Sequence, residues 1–329
     1  MEISINLEQD KHTYTMKYLT RVLGILIIFF FTVKLKAETW NEPWQKEIIQ
    51  KSQFFIFGKV IENDGKKARI TVEKKFGNEE IPNEIIIDNY FFFQLTSSSG
   101  HEIHNKLKKD VSYYFLLTKN KNNNYSLPTP TSGFAEIDEN KKVSATYRHS
   151  YHQALIPQET YEMTYKNIWS YYKYKTFDNS EINKFINLQI GKKAAGFSEE
   201  EISDFYLQHA ALETAYLLDL TPSIEQVFKF AKSGNFHLRV SALQLMGNYN
   251  TKQSKDFLLN SVQDKNVDNF EKVIAIWAIK KSNDKEYVQK LKLLKKNLST
   301  EETGFGGNIM DPRVGTYFPD PRQAVEDLQ

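Results

Sequence analysis

From Ser52 to about Tyr147 apolar and polar positions come in short alternating runs broken by Asn, Asp, Gly and Pro, the pattern of strands joined by turns. Gln53 to Glu62, Ala68 to Lys75, Glu84 to Phe93 and Val111 to Thr118 read as long strands, Gly133 to Ile137 and Lys142 to Tyr147 as shorter ones. Ile70 and Val72 against Arg69, Thr71 and Glu73 mark one buried and one wet face. Asn63-Asp64-Gly65-Lys66 supplies a hairpin turn in which Asp-Gly tolerates positive φ. No helix interrupts the first two strands, so antiparallel sheet is expected, preceded by one helical segment over Trp44 to Lys51.

Beyond this region the period changes. Thr160 to Thr176 carries Tyr161, Tyr165, Trp169 and Tyr172 near helical spacing, which predicts a helix connecting two halves; its stripe suits core packing, with a ligand platform of Tyr161, Tyr165 and Trp169 as the alternative. Helix starts are predicted at Ser180, at the capping box Ser198 to Glu201, and at Thr221-Pro222. Asn235 to Lys265 matches Asp268 to Leu298 at an offset of 33 residues, which sets Arg239 on Lys272, Val240 on Val273, Ala242 on Ala275, Leu243 on Ile276, Met246 on Ile279 and Leu258 on Leu291. Each unit reads as a helical hairpin that hides its apolar face by stacking, and Glu199 to Lys232 adds a less regular pair.

Two resemblances accompany these patterns. Ile48 to Val60, followed by a charged hairpin and Ile70 to Phe76, resembles the opening of netrin-like, tissue-inhibitor-of-metalloproteinase-like barrels, and Val111 to Leu117 resembles their later Tyr-rich strand. The resemblance implies a closed OB-type sheet over roughly residues 48–147. The inhibitory chemistry of that family uses an N-terminal Cys on the protease zinc, and this chain has no Cys. Leu238 to Gly247 resembles the first helix of HEAT-type repeats, a likeness reaching over roughly 199–298. The fold class expected is therefore multidomain, all-β plus all-α: a small antiparallel OB-like barrel followed by a helical-repeat domain.

From Met16 a basic stretch precedes the apolar run Val22 to Val33 and then Ala37, which reads as an export signal over 1–37, with Met16 as an alternative start. Twelve residues span roughly 18 Å as a helix, against a hydrocarbon core of ~30 Å, so cleavage after Ala37 is expected and an uncleaved anchor is the alternative. The remaining divisions are a barrel over 38–150, a connecting helix over 151–178, helical hairpins over 179–298, and a tail over 299–329 in which Asp311-Pro312-Arg313 recurs as Asp320-Pro321-Arg322 and Pro321 to Leu328 forms a short helix.

Charge narrows the function classes. The chain holds 43 Lys and Arg against 41 Asp and Glu, only six of the basic residues are Arg, and beyond the first 37 residues the charges balance, which argues against nucleic acid. The lack of Cys removes disulfides, thiol nucleophiles and thiolate metal sites. No nucleophile elbow or phosphate loop is present. His149 and His152, three apart with Glu159 and Glu162 nearby, are the metal candidates, against exposed histidines as the plain reading. His209 and His237 fall in expected helices, and no acidic partner is assigned to them.

These observations suggest an exported, periplasmic or secreted protein that acts by binding or scaffolding, without a cofactor, through barrel loops or the helical surface. Its expected partner is a protein or polysaccharide of the cell envelope, with membrane contact only through an uncleaved N-terminal segment. Arg239 and Lys272, at equivalent repeat positions, are the candidate polar contacts, with bracing of a neighbouring helix as their plain role. The alternatives are a metal-dependent envelope hydrolase using His149, His152 and an acid in the cleft between the two parts, or an extracellular protease inhibitor.

Overall fold

Both faces of the segment around Phe54 to Val60 are apolar, so the first half must be covered on two sides. In the computed structural model, which describes residues 40–41, 43–88, 93–96, 102–105, 107–120, 124–149, 152–301, 303, 314–315 and 318–328, that covering comes from a closed sheet on one side and helices on the other. The export signal, Ser97 to His101, Gly304 to Gly307 and Asp311 to Arg313 lie outside the described residues. No helix among the described residues is long and apolar enough to cross a membrane.

A short strand β1 (Trp40–Asn41) and helix α1 (Gln45–Lys51) lead into β2 (Phe54–Asn63), β3 (Ala68–Lys75) and β4 (Glu84–Ile87). β5 (Phe93–Thr96) and β6 (Glu102–Asn105) pair with each other, and β7 (Ser112–Lys119), β8 (Tyr125–Ser126) and β9 (Phe134–Glu136) return to the main sheet. The order β2-β3-β4-β8-β7 closes because β2 pairs with both β3 and β7, giving a five-stranded barrel with β9 alongside β7. One pairing departs from the antiparallel expectation: β4 meets β8 in parallel at Ile87 and Tyr125. β4 and β8 are separated along the chain by β5, β6 and β7, so no turn imposes an antiparallel sense between them.

Period-two alternation sends Phe54, Ile56, Val60, Ile70, Ile85, Tyr113, Phe115 and Leu117 into the barrel, while Phe55, Tyr114 and Leu116 point out toward the helices. The hairpin between β2 and β3 forms as expected: Gly65 has φ 85°, and Asp64 Oδ1 accepts from the amides of Lys66 at 2.8 Å and Lys67 at 2.7 Å. At a bulge between Phe57 and Gly58 the strands approach so closely that a Cβ on Gly58 would lie 2.6 Å from the Thr71 carbonyl oxygen.

After the barrel, β10 (Lys142–Thr146), at the expected place, and β11 (Gln153–Pro157), which the helical pattern around 151–178 conceals, form a separate antiparallel ribbon. The helices follow: α2 (Gln158–Tyr174), α3 (Asn179–Ile190), α4 (Ile202–Leu217), α5 (Ile224–Ala231), α6 (Phe236–Met246), α7 (Lys252–Gln263), α8 (Asn269–Ser282) and α9 (Lys285–Leu294). The molecule is thus a small barrel followed by about eight packed helices. At the end, β12 (Val314–Gly315) pairs with β1, and α10 (Pro321–Glu326), capped by Asp320, packs back on α8.

Helix starts follow local chemistry, with three shifts from expectation: at the expected capping box Ser198 Oγ donates to the Glu201 side chain at 3.3 Å, and α4 begins only at Ile202. Asp178, not Ser180, caps α3 by accepting from the amides of Ser180 at 3.0 Å and Glu181 at 3.3 Å. The helix expected at Pro222 begins at Ile224, after Ser223 in a non-helical conformation, and the Pro222 carbonyl accepts from Tyr249 Oη at 2.6 Å. The two units at the 33-residue offset are hairpins α6–α7 and α8–α9, and their caps also correspond: Asn235 with Asp268, and Thr251 with Asp284. Val240, Val273, Ala242, Ala275, Met246, Ile279, Leu258 and Leu291 are all fully buried.

Helix α2 joins the two halves. Tyr161, Tyr165 and Trp169 are at most 3% exposed, with Tyr161 against Tyr114 at 4.6 Å between ring centroids and Trp169 against Phe55 at 5.8 Å. Aromatic pairs of this kind add about 0.5–1.5 kcal/mol each beyond the area they bury. As a ligand platform the three rings would have to face solvent; here they are the seam between the barrel and the helices.

Candidate functional site

The turn of the β10–β11 ribbon reaches into the helices. Arg148, in that turn, is 2% exposed. Its Nε donates to Glu213 Oε1 of α4 at 2.7 Å and its Nη2 to the carbonyl of His237 at 2.9 Å, with a further bond to Ser241 Oγ of α6. Ser241 Oγ donates to Glu213 Oε1 at 2.7 Å, and Gln244 Nε2 to Glu213 Oε2 at 3.3 Å. A buried carboxylate is tolerated only with such partners.

Around this pair the fold gathers four histidines from three elements: His149 and His152 from the turn, His209 from α4 and His237 from the first turn of α6. The His152 ring lies 4.1 Å from that of His209 and 4.3 Å from that of His237, centroid to centroid, and 6.3 Å from that of His149. Burial holds His149, His152 and His209 well below the usual imidazole pKa and brings His237 to about 4, with the Arg148 charge adding to the effect in each. All four rings are neutral at pH 7.

The network also assigns a tautomer. Ser241 gives its only hydroxyl hydrogen to Glu213, so His209 Nδ1, 3.1 Å from Ser241 Oγ, is the donor of that contact and its Nε2 is a bare acceptor. That Nε2, His152 Nδ1 and His237 Nδ1 are buried without a hydrogen-bond partner in the protein. Buried orphans of this kind cost about 1–3 kcal/mol each, and native folds seldom keep three together.

His152 and His237 border a cleft of 530 Å³ at the N-terminal ends of α4, α6 and α8. Phe197, Phe205, Phe236 and Phe270 form its apolar walls, and Arg148, His149, Gln153 and Asp268 add polar groups. The volume suits a small molecule. Asp268 Oδ1 also caps α8, accepting from the Phe270 amide at 2.7 Å.

The structure brings His149 and His152 together and buries both, in place of the exposed histidines of the plain reading. It does not bring Glu159 or Glu162 to them: Glu159 is exposed, and Glu162 is engaged by Tyr114 Oη at 2.8 Å and by Lys74. The acid of the cluster is Glu213, four residues after His209, with Oε1 4.0 Å from His209 Nδ1. That i, i+4 spacing in an otherwise apolar helix is a sequence signal, and His209, expected without an acidic partner, has Glu213 beside it. Among the described residues no group of three or more His, Asp or Glu is arranged to hold a metal ion.

Arg239 and Lys272 lie apart from this cleft. Arg239 makes a two-pronged contact with Glu271, Nε to Oε1 at 2.8 Å and Nη2 to Oε2 at 3.0 Å, which ties α6 to α8. Lys272 is half-buried on α8 and has no ion pair with a described residue. Comparison with known proteins adds no relative: no family model matches the chain, and searches of curated proteins and of solved structures find no match.

Proposed function

We propose that the chain is a binding protein whose principal site is the histidine-walled cleft, and that it takes a hydroxyl-rich ligand of sugar size, such as one unit of an envelope polysaccharide. The observation carrying this reading is the pair of neutral imidazoles of His152 and His237, each with a ring nitrogen that has no partner in the protein, bordering a cleft walled by phenylalanines. Neutral imidazoles donate and accept hydrogen bonds to hydroxyls, and aromatic walls accept the apolar face of a sugar ring. Rings held far below neutral pKa are weak bases at pH 7, which favours binding over general-base catalysis. The basic and apolar opening of the chain supports export, the barrel supports an OB-type roll, and the 33-residue recurrence supports HEAT-type stacking.

Saturation-transfer NMR on the full chain with neutral mono- and disaccharides tests the reading. Transfer to at least one sugar is expected, with affinity falling at least tenfold in His237→Gln while the melting temperature stays within a few degrees. No transfer from any sugar, or equal transfer in the variant, rejects it. The hydrolase alternative draws on the same clustered histidines and makes a different demand: stoichiometric zinc in the purified protein, lost in His152→Ala.

A further inference from the structure

A second cleft, of 320 Å³, opens on the other side of Arg148, between α1 and the ends of α4, α6 and α8. Trp44, Lys46, Tyr216, Gln244, Trp277 and Lys281 line it. We propose that it is a separate binding site for a small planar carboxylate, an aromatic or heteroaromatic acid, and this does not rest on the reading of the histidine cleft.

Charge is the first argument. Lys281 Nζ sits over the Tyr216 ring at 4.2 Å and is bonded to Asp219 Oδ1 at 2.7 Å and Asn248 Oδ1 at 2.5 Å. Lys46 Nζ lies 6.0 Å from the centre of the same ring, with no carboxylate of the described residues within ion-pair distance. Glu47, at the rim, is shared with Lys51 at 3.9 Å. Of the cations lining the cleft, Arg148 is paired with Glu213 and Lys281 with Asp219, which leaves Lys46 as the lining cation with no carboxylate of the described residues at ion-pair distance. Burial and the repulsion of Lys46 lower the Lys281 pKa, a cost that an incoming anion relieves.

Shape and polarity of the floor are the second. Gln244 is 8% exposed, and its amide nitrogen is fixed on Glu213, so its Oε1 is left as a buried acceptor without a partner at the base of the cleft. Trp44 and Trp277, nearly perpendicular with ring centroids 5.6 Å apart, give the cleft apolar aromatic walls. A ligand with a carboxylate near Lys46, a ring along the indoles and an N–H or O–H toward Gln244 matches all three features; indole-3-acetate has this composition.

Titration of the full chain with indole-3-acetate and other planar monocarboxylates, each beside its uncharged amide, is followed by tryptophan fluorescence and calorimetry. At least one acid is expected to bind tenfold or more tightly than its amide, and Lys46→Gln is expected to erase that preference without moving the melting temperature. His237→Gln, in the other cleft, leaves it intact. Equal binding of acid and amide, an unaltered preference in Lys46→Gln, or no binding by any member of the series overturns the proposal; sugar binding to the histidine cleft is measured separately and is unaffected by either result.

Discussion

Arg148 Nε lies 2.7 Å from Glu213 Oε1 with the two side chains 1% and 0% exposed, so one fully buried ion pair ties the strand ribbon to the helical stack. Both charges have left water, and each is tolerable only because the other is present, together with Ser241, Gln244 and the His237 carbonyl.

Removing one partner should therefore cost more than removing both. Glu213→Leu and Arg148→Met are each expected to lower unfolding free energy by about 3–5 kcal/mol, while the double variant recovers most of that loss. Denaturant unfolding of the four proteins checks this; strictly additive losses would mean that the charges do not depend on each other.

Acid should unfold this protein early. A histidine with its folded pKa depressed binds fewer protons folded than unfolded, so its stabilisation is complete above about pH 6.5 and declines as pH falls below that. For His237 the window runs from 6.5 to about 4, and His149, His152 and His209 extend the loss in the same direction. Melting temperature measured from pH 7.5 to 4.5 should fall steeply below 6.5, and His237→Gln should reduce the slope by up to one proton's worth.

The corresponding caps of α6 and α8 offer a graded comparison. Asp268→Ala removes a cap bond to the Phe270 amide and is expected to cost about 1 kcal/mol. Asn235→Ala removes cap bonds to the amides of His237 at 3.0 Å and Leu238 at 3.3 Å and also a bond from its Nδ2 to the Ala195 carbonyl at 3.0 Å, so its loss should be larger, about 2 kcal/mol. Equilibrium denaturation ranks the two, and the reverse order would contradict the assignment.

Much of the fold is legible along the chain because it is written in local signals. Alternation at Ile70 and Val72, the Asp64-Gly65 turn and the recurring apolar face of the two hairpins each depend on neighbours within a few residues. β11 was hidden because Gln153 to Pro157 borders a strongly helical aromatic run, and the parallel closure of β4 on β8 depends on where a long excursion returns. Of the candidate site, His149 and His152 were visible as a pair, but Phe197, His209 and His237 are brought to them by helix packing.

The amino-acid order by itself determined that hydrophobic surface would be hidden first by strands and then by paired helices, since periods of two and of 3.6 are fixed by backbone geometry. That the histidines are buried beside an Arg–Glu pair instead of exposed in a connecting segment, and that the tyrosines of α2 are a seam, follows from how distant elements pack. Periodicity reports which face of an element avoids water; which distant element covers that face is settled by packing of the whole chain.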